Sequence, residues 1–254
     1  MNSTFSKNGF EIIKADDLPA LNELQKHVRD ISYKLIGTET SENIIGDLNS
    51  LHKAFKSPED ANTFRLKLTS QLSSQVDVGT KVFEIFRSKL EPLVGPDILV
   101  QKTPNLVFQP PEYPIPTELH RDAPANSPYE VIVWLPFVDC FNTKSMYVLD
   151  REHSQIAAEH IKQNPDDKNG FDEILLAHAA LMEVPFGSAL IFWSGLFHGS
   201  IVNKEGESRL SLNIRYKNLF SPAGMKDQLR YFNILQTSQL TDLGLDFQYR
   251  EQFR

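Results

Sequence analysis

The 254-residue sequence predicts a mixed α+β fold in which a helical N-terminal third backs a strand-rich core. Three observations predict it. Apolar residues recur at helical spacing from Leu18 to Leu90. After Gly95-Pro96 the texture changes to short apolar runs divided by turn residues, the pattern of a sandwich or barrel. Between Glu152 and Met182 the helical period returns, which places a helical insertion between two strands.

Each segment has its own signal. Asp16-Asp17 caps a helix whose buried face is Leu18, Leu21, Leu24 and Val28. A second helix is predicted over Ile44 to Phe55. Ser57-Pro58-Glu59-Asp60 has the cap and early acids of a helix start. Phe64, Leu66, Leu68, Leu72, Val76, Val78, Val82, Ile85 and Leu90 continue it as a long, mostly buried face, until Pro92 and Gly95-Pro96 end the pattern. Strands are predicted at Ile98 to Gln101, Leu106 to Gln109, Val131 to Leu135, Ser145 to Leu149, Ala189 to Trp193 and Arg209 to Tyr216. Pro110, Pro111, Pro114 and Pro116 make the segment between the second and third of these a loop or edge. Residues 221–254 read as a mixed tail with short helices around Lys226 to Leu235. The expected organisation is therefore one domain: a helical layer (1–96), a β core (97–220) with an insertion at about 153–182, and the tail.

Composition narrows the function. The net charge is −7 and no Lys/Arg run occurs, so the footprint of a nucleic-acid binder is absent. No apolar run approaches a membrane span. The single cysteine, Cys140, rules out an intrachain disulfide and a multi-cysteine metal site. Residues 1–15 hold no apolar signal core. The expectation is a cytoplasmic protein with a small-molecule substrate, any homo-oligomer contact falling on the N-terminal helices.

Chemistry concentrates around Thr117-Glu118-Leu119-His120-Arg121-Asp122. In an extended backbone, residues i and i+2 point the same way, so His120 and Asp122 can converge on one point. His198 follows in Phe197-His198-Gly199-Ser200, at the start of another strand-like segment. Two histidines and one carboxylate suit the open-sided site of non-haem Fe(II). Glu118 shares the i, i+2 relation to His120 but is not expected to be a ligand. Farther on, Arg209, Ser211, Asn213 and Arg215 alternate with Leu210, Leu212 and Ile214, giving one polar and one apolar face. That polar face either meets solvent or lines a wet internal pocket. A tight turn at Lys204-Glu205-Gly206 would return the chain beside the strand of His198 and bring Arg209 close to the metal, where a guanidinium can clamp a carboxylate.

His120-x-Asp122, His198-Gly199-Ser200-x-x-Asn203 and Arg209-x-Ser211 resemble the Fe(II)/2-oxoglutarate-dependent dioxygenases. The resemblance is to the phytanoyl-CoA dioxygenase-like branch and, through Trp134-Leu135-Pro136 and Arg209 to Arg215, to dioxygenase-like proteins of the streptomycin-biosynthesis type. It covers roughly 97–220 and leaves out the helical third. It implies a double-stranded β-helix, a jelly-roll, cupin-like core. It further implies Fe(II) on His120, Asp122 and His198, and 2-oxoglutarate with its distal carboxylate on Arg209 and Ser211. O₂ would complete the reaction, whose chemistry is metal-centred with no separate acid or base. Related halogenases lack the carboxylate ligand, so Asp122 implies hydroxylation or another oxidative outcome, releasing succinate and CO₂.

Arg121, Asn126, Tyr129, Trp193 and Arg215 are candidate substrate contacts, by nearness to the ligands in sequence or by strand facing; Arg151 joins them on the same ground. His153, His160 and His178 fall in the insertion and read as solvent-facing or hydrogen-bonded. The substrate class expected is a small metabolite or a sugar-containing intermediate. Two other readings stay open: a cupin-like metal-dependent isomerase or epimerase, and a non-catalytic barrel that only binds.

Overall fold

A computed structural model describes residues 3–114, 119–123, 127–225 and 228–246. A short helix, α1 (Thr4–Asn8), leads into an edge strand, β1 (Phe10–Lys14), and then the helical layer begins. α2 (Leu18–Ile36) starts on the Asp17 side chain, which accepts from the Ala20 amide, and buries Leu21, Leu24, Val28 and Ile31. α3 (Ile44–Asn49) passes into a short 3₁₀ turn, so the helix expected to reach Phe55 changes form after Asn49. α4 (Pro58–Gln75) is capped by Ser57 and buries Phe64, Leu68 and Leu72, one turn apart. The apolar face beyond it belongs to two further helices, α5 (Val78–Ile85) and α6 (Arg87–Val94). Pro92 lies inside α6 rather than ending it, and the helix stops at Gly95.

The strands follow as β2 (Ile98–Gln101), β3 (Asn105–Gln109), β4 (Glu130–Pro136) and β5 (Tyr147–Val148). The insertion comprises α7 (Arg151–Gln163), α8 (Lys168–His178) and β6 (Ala180–Leu181). β7 (Ser188–Trp193), β8 (His198–Gly199) and β9 (Arg209–Asn218) complete the core. The tail forms α9 (Gln228–Tyr231), β10 (Phe232–Gln236) and α10 (Gln239–Asp246). The predicted strand over Ser145 to Leu149 is thus only two residues long, and the tail contains a strand where helices were expected.

Two sheets result. The larger runs β1-β7-β4-β9-β2-β10, with β3 also on β9, and every pairing is antiparallel. β2 and β3 lie end to end along one edge of β9, Ile98 facing Asn218 and Asn105 facing Asn213. The smaller sheet is β6-β5-β8. One cluster of buried side chains runs from Ile13 to Tyr216 and joins the helical layer to the larger sheet. β9 shows the join. Leu210, Leu212, Ile214 and Tyr216 are all fully buried on one face, and the Tyr216 hydroxyl donates to the Gly79 carbonyl of α5 at 2.8 Å. Only glycine allows that approach, because a Cβ on Gly79 would come within 2.7 Å of Val100. The helices therefore occupy the apolar face of β9 and leave its polar face to the space between the sheets.

Candidate metal centre

Main-chain pairing brings the two histidines together. His120 and His198 form an antiparallel bridge, N to O at 3.0 and 2.9 Å in the two directions. Their rings lie 4.3 Å apart between centroids. β8, which carries His198, pairs with β5 on its other side, Val148 facing His198. Asp122 follows His120 by two residues, and one ligand atom from each of His120, Asp122 and His198 lies within 4.8 Å of the others. Ligand atoms on one face of an ion, each about 2.1 Å from it, stand about 3 Å apart. Side-chain rotation that moves the ligand atoms by up to roughly 2 Å draws the three onto that face.

The tautomer is set as well. His198 Nδ1 lies 3.0 Å from the Leu196 carbonyl. A carbonyl oxygen only accepts, so Nδ1 carries the proton and Nε2 keeps its lone pair for a metal. Burial drives the His198 imidazole down to about 4, against the pull of Asp122. Burial alone would raise the Asp122 carboxyl, but Arg215 with His198 and His120 together outweigh it and hold the group below the usual carboxylate range. The contact is Arg215 Nη2 to Asp122 Oδ1 at 2.7 Å. Arg215 Nη1 also donates to the Tyr231 hydroxyl at 2.9 Å, and Glu130 Oε2 stands 3.7 Å from Arg215 Nε as an ion pair without a hydrogen bond. Burial raises the Glu130 carboxyl.

Arg209 differs from Arg215 in the way that matters most. It is only 2% exposed, its Nη1 donates to the Ser145 carbonyl at 2.6 Å, and its Nε has no partner. Among the described residues no carboxylate pairs with it. Burial lowers its guanidinium to about 10, which leaves it charged at neutral pH. Its guanidinium lies 5.8 Å above the Trp134 ring. Two more polar groups on the same face, Ser211 Oγ and Asn213 Oδ1, are buried without partners. Buried polar atoms left unpaired in a row are where a bound group or ordered water makes the missing hydrogen bonds. Asn213 lines a cavity of about 150 Å³ together with His120, Asp122, His198, Arg209 and Arg215, whereas Ser211, on the same strand, does not line it. The polar face of β9 is therefore internal. β9 itself does not lie beside β8: it belongs to the larger sheet, and the turn at Gly206 carries the chain across to the opposite wall. Arg209 reaches the cavity from that wall.

The remaining candidates divide. Arg215 lines the cavity but is committed to Asp122, so it is not a free substrate clamp. Arg121 is exposed at the ligand segment, its guanidinium 5.3 Å over the Phe197 ring. Tyr129 is 55% exposed and does not line the cavity. Trp193 also falls outside it. The β7 alternation sends Phe192 toward His198, with ring centroids 4.7 Å apart, and turns Trp193 to the other face. There Trp193 and Arg151 line a separate hollow with Phe5, and the indole donates to the Pro128 carbonyl at 2.6 Å. Asn126, with Thr117 and Glu118, lies outside the described residues. Asn105, Val107 and Met146 line the cavity without having been singled out. Met146 stands beside β5, and the first two needed the β3–β9 pairing to be placed. His153 stacks on His178 at 3.8 Å and bonds Asp150, whereas His160 faces Asp167. None of these joins a metal-capable group among the described residues.

No family model matches the sequence, and no curated protein matches it. Solved structures do match. The non-heme monooxygenase ThoJ, as its nickel complex, is 14% identical with a TM-score of 0.54, over 92% of this chain and 82% of that one. The non-heme alpha ketoglutarate dependent epimerase SnoN from nogalamycin biosynthesis is 15% identical with a TM-score of 0.54, over 92% and 94%. The non-heme alpha ketoglutarate dependent carbocyclase SnoK from the same biosynthesis is 12% identical with a TM-score of 0.50, over 92% and 91%. The fold is shared with these enzymes. SnoN has also been solved with Fe3+, alpha ketoglutarate and nogalamycin RO. In this chain the His120-Asp122-His198 group is a candidate iron site. Among the described residues, no helix is long and apolar enough to cross a membrane.

Proposed function

We propose that this protein is a single-domain, non-haem Fe(II)- and 2-oxoglutarate-dependent oxygenase built on a double-stranded β-helix. One observation carries the reading: a convergent His-Asp-His set shares a small cavity with a buried guanidinium that no carboxylate of the described chain neutralises. The shared fold with enzymes described as non-heme and alpha ketoglutarate dependent supports it.

His120, Asp122 and His198 would hold Fe(II) on one face and leave the other positions open. Bound with 2-oxoglutarate, the iron would supply O₂ activation coupled to oxidative decarboxylation, giving succinate and CO₂. The chain's own residues do the rest. The Leu196 carbonyl fixes the His198 ring, and Arg215 fixes one Asp122 oxygen while keeping the carboxyl ionised. Arg209 would take the distal carboxylate of 2-oxoglutarate, with Ser211 as a further donor. The low dielectric around Arg209 strengthens that pairing and excludes water. Hydroxylation of a small metabolite or sugar-containing intermediate is the outcome proposed. Cys140, buried with its thiol pushed up to about 12 by burial, suits a reducing cytoplasm.

A metal-dependent isomerase without a 2-oxo acid would give the uncompensated Arg209 no role, so that reading ranks second. The test is turnover without primary substrate. Slow O₂ consumption with stoichiometric succinate release, dependent on both added Fe(II) and 2-oxoglutarate, is expected. Metal binding with no succinate and no 2-oxoglutarate affinity would shift the assignment to the isomerase.

A further inference from the structure

The cavity at the metal ligands, about 150 Å³, is below the roughly 300–1,000 Å³ usual for a small-molecule site. It accommodates a small dicarboxylate and one reacting end of a substrate, so the bulk of the substrate must lie elsewhere. One hollow meets it at the edge of β3. A space of about 380 Å³ between α4 and the outer edge of β3 shares two lining residues, Asn105 and Val107, with the metal cavity. The more apolar hollow of about 480 Å³ on α8 shares none, nor does the hollow at Trp193.

The chemistry of this second space is set by α4, in the helical third that the family resemblance does not cover. Arg65 Nε and Nη2 donate to Asn62 Oδ1 at 3.2 and 2.9 Å, and Nη1 donates to the Leu106 carbonyl at 3.2 Å. All three contacts are to neutral acceptors. They hold the half-buried guanidinium against the wall of the hollow and leave one N–H on each Nη. Among the described residues no carboxylate pairs with Arg65. The partly exposed Tyr113 ring and Val107 supply its apolar wall, while Leu106 and Phe108 lie buried behind it. A fixed, uncompensated guanidinium beside an apolar wall takes an anionic group carried on an apolar body.

We infer that the hollow between α4 and β3 is the distal half of the substrate site, where Arg65 binds a carboxylate or phosphate on an elongated substrate whose other end reaches the metal across Asn105 and Val107. This rests on the proposed oxygenase reading for the identity of the metal end. The anion site at Arg65 stands on its own geometry.

The test uses the full chain with saturating 2-oxoglutarate, so that Arg209 is occupied, and with Mn(II) in place of Fe(II). The probes are ω-phenylalkanoates of increasing chain length and the matching phenylalkyl phosphates. Affinity is read by saturation-transfer NMR, and the distance of each probe proton from the metal by paramagnetic broadening. Binding is expected, strongest for a longer member, with the phenyl end broadened more than the anionic end. The phosphate arm shows which anion is preferred. Arg65→Gln keeps donors for the Leu106 carbonyl while removing the charge. It should weaken the probes by roughly tenfold to a hundredfold, leave Mn(II) affinity unchanged, and be partly rescued by Arg65→Lys. Failure of every probe to bind, or binding equal in wild type and Arg65→Gln, overturns the inference. If wild type binds the probes through Arg65 but takes no Mn(II), the anion site stands and the oxygenase reading falls.

Discussion

Arg215 Nη2 and Asp122 Oδ1 stand 2.7 Å apart, with side chains only 11% and 10% exposed. The same guanidinium meets the Tyr231 hydroxyl, so a residue of the C-terminal segment is linked through Arg215 to a metal ligand. Removing one partner of a buried pair leaves the other charged and unpaired, at about 3–5 kcal/mol. Arg215→Ala is therefore expected to lower unfolding free energy by about that amount, and to weaken metal binding roughly tenfold to a hundredfold. Denaturant unfolding and Mn(II) titration check the two effects. Unchanged metal affinity would mean that the pair only supports the fold.

Arg209 predicts the opposite sign for stability. Its charge is buried with one carbonyl and, among the described residues, no counter-ion, so an apolar residue of similar length relieves a desolvation cost. Arg209→Met should leave the ligand-free protein as stable as wild type or more stable, by up to about 4 kcal/mol. Its 2-oxoglutarate affinity should fall at least roughly a hundredfold, with metal affinity unaltered. Calorimetric unfolding of the ligand-free protein separates this from a structural arginine, whose loss would destabilise.

The insertion supports the ligand segments from behind. Phe171 on α8 packs edge-on against Phe197 at 5.6 Å, in a small cluster that also holds Leu149, Ala157 and Leu119. Phe171→Ala is expected to cost about 2 kcal/mol, below the full core value because Phe171 is half-buried. Faster amide exchange should appear at Phe197 and His198, the pair's immediate backbone. Exchange unchanged there would show that the insertion is independent of the site.

His52 gives a pH dependence away from the metal ligands. Burial lowers its imidazole below 6.5, and its ring Nδ1 and its amide both meet Ser208 Oγ, at 2.9 and 3.0 Å. A depressed folded-state value means the unfolded chain binds more protons, so the contribution is present above 6.5 and is lost as pH falls below it. The thermal midpoint should fall more steeply below pH 6.5 in wild type than in His52→Gln. Parallel pH profiles would remove His52 from the account.

Period-2 alternation made much of the core legible. The Arg209–Arg215 face read as polar in sequence, and its apolar partners Leu210, Leu212 and Ile214 are fully buried. Strands β2 and β3, and β4 and β7, fall within one residue of the apolar runs that predict them. β1 was missed because Phe10–Lys14 is largely exposed and exists through its pairing with β7. β10 was missed for a similar reason: Ile234 is 53% exposed, and the strand is defined by β2. His120 and Asp122 were paired by the i, i+2 rule, and His198 was singled out at the start of a strand-like segment. The bridge that joins His120 to His198 was not, since it pairs residues far apart in sequence. Trp193 was misplaced because nearness to His198 in sequence outweighed its strand parity. Asn105 and Arg65 carried no local signal, as their position depends on β3 lying against β9 and α4.

The measurement that bears most directly on the central claim is an anaerobic titration of the protein with Fe(II) and 2-oxoglutarate, followed in the visible range. The account predicts a charge-transfer band that saturates at one equivalent of each. The band should be absent in His120→Ala and should need far more 2-oxoglutarate in Arg209→Met. A wild-type protein that binds Fe(II) but forms no band at any 2-oxoglutarate concentration would contradict the assignment of Arg209 and of the cosubstrate.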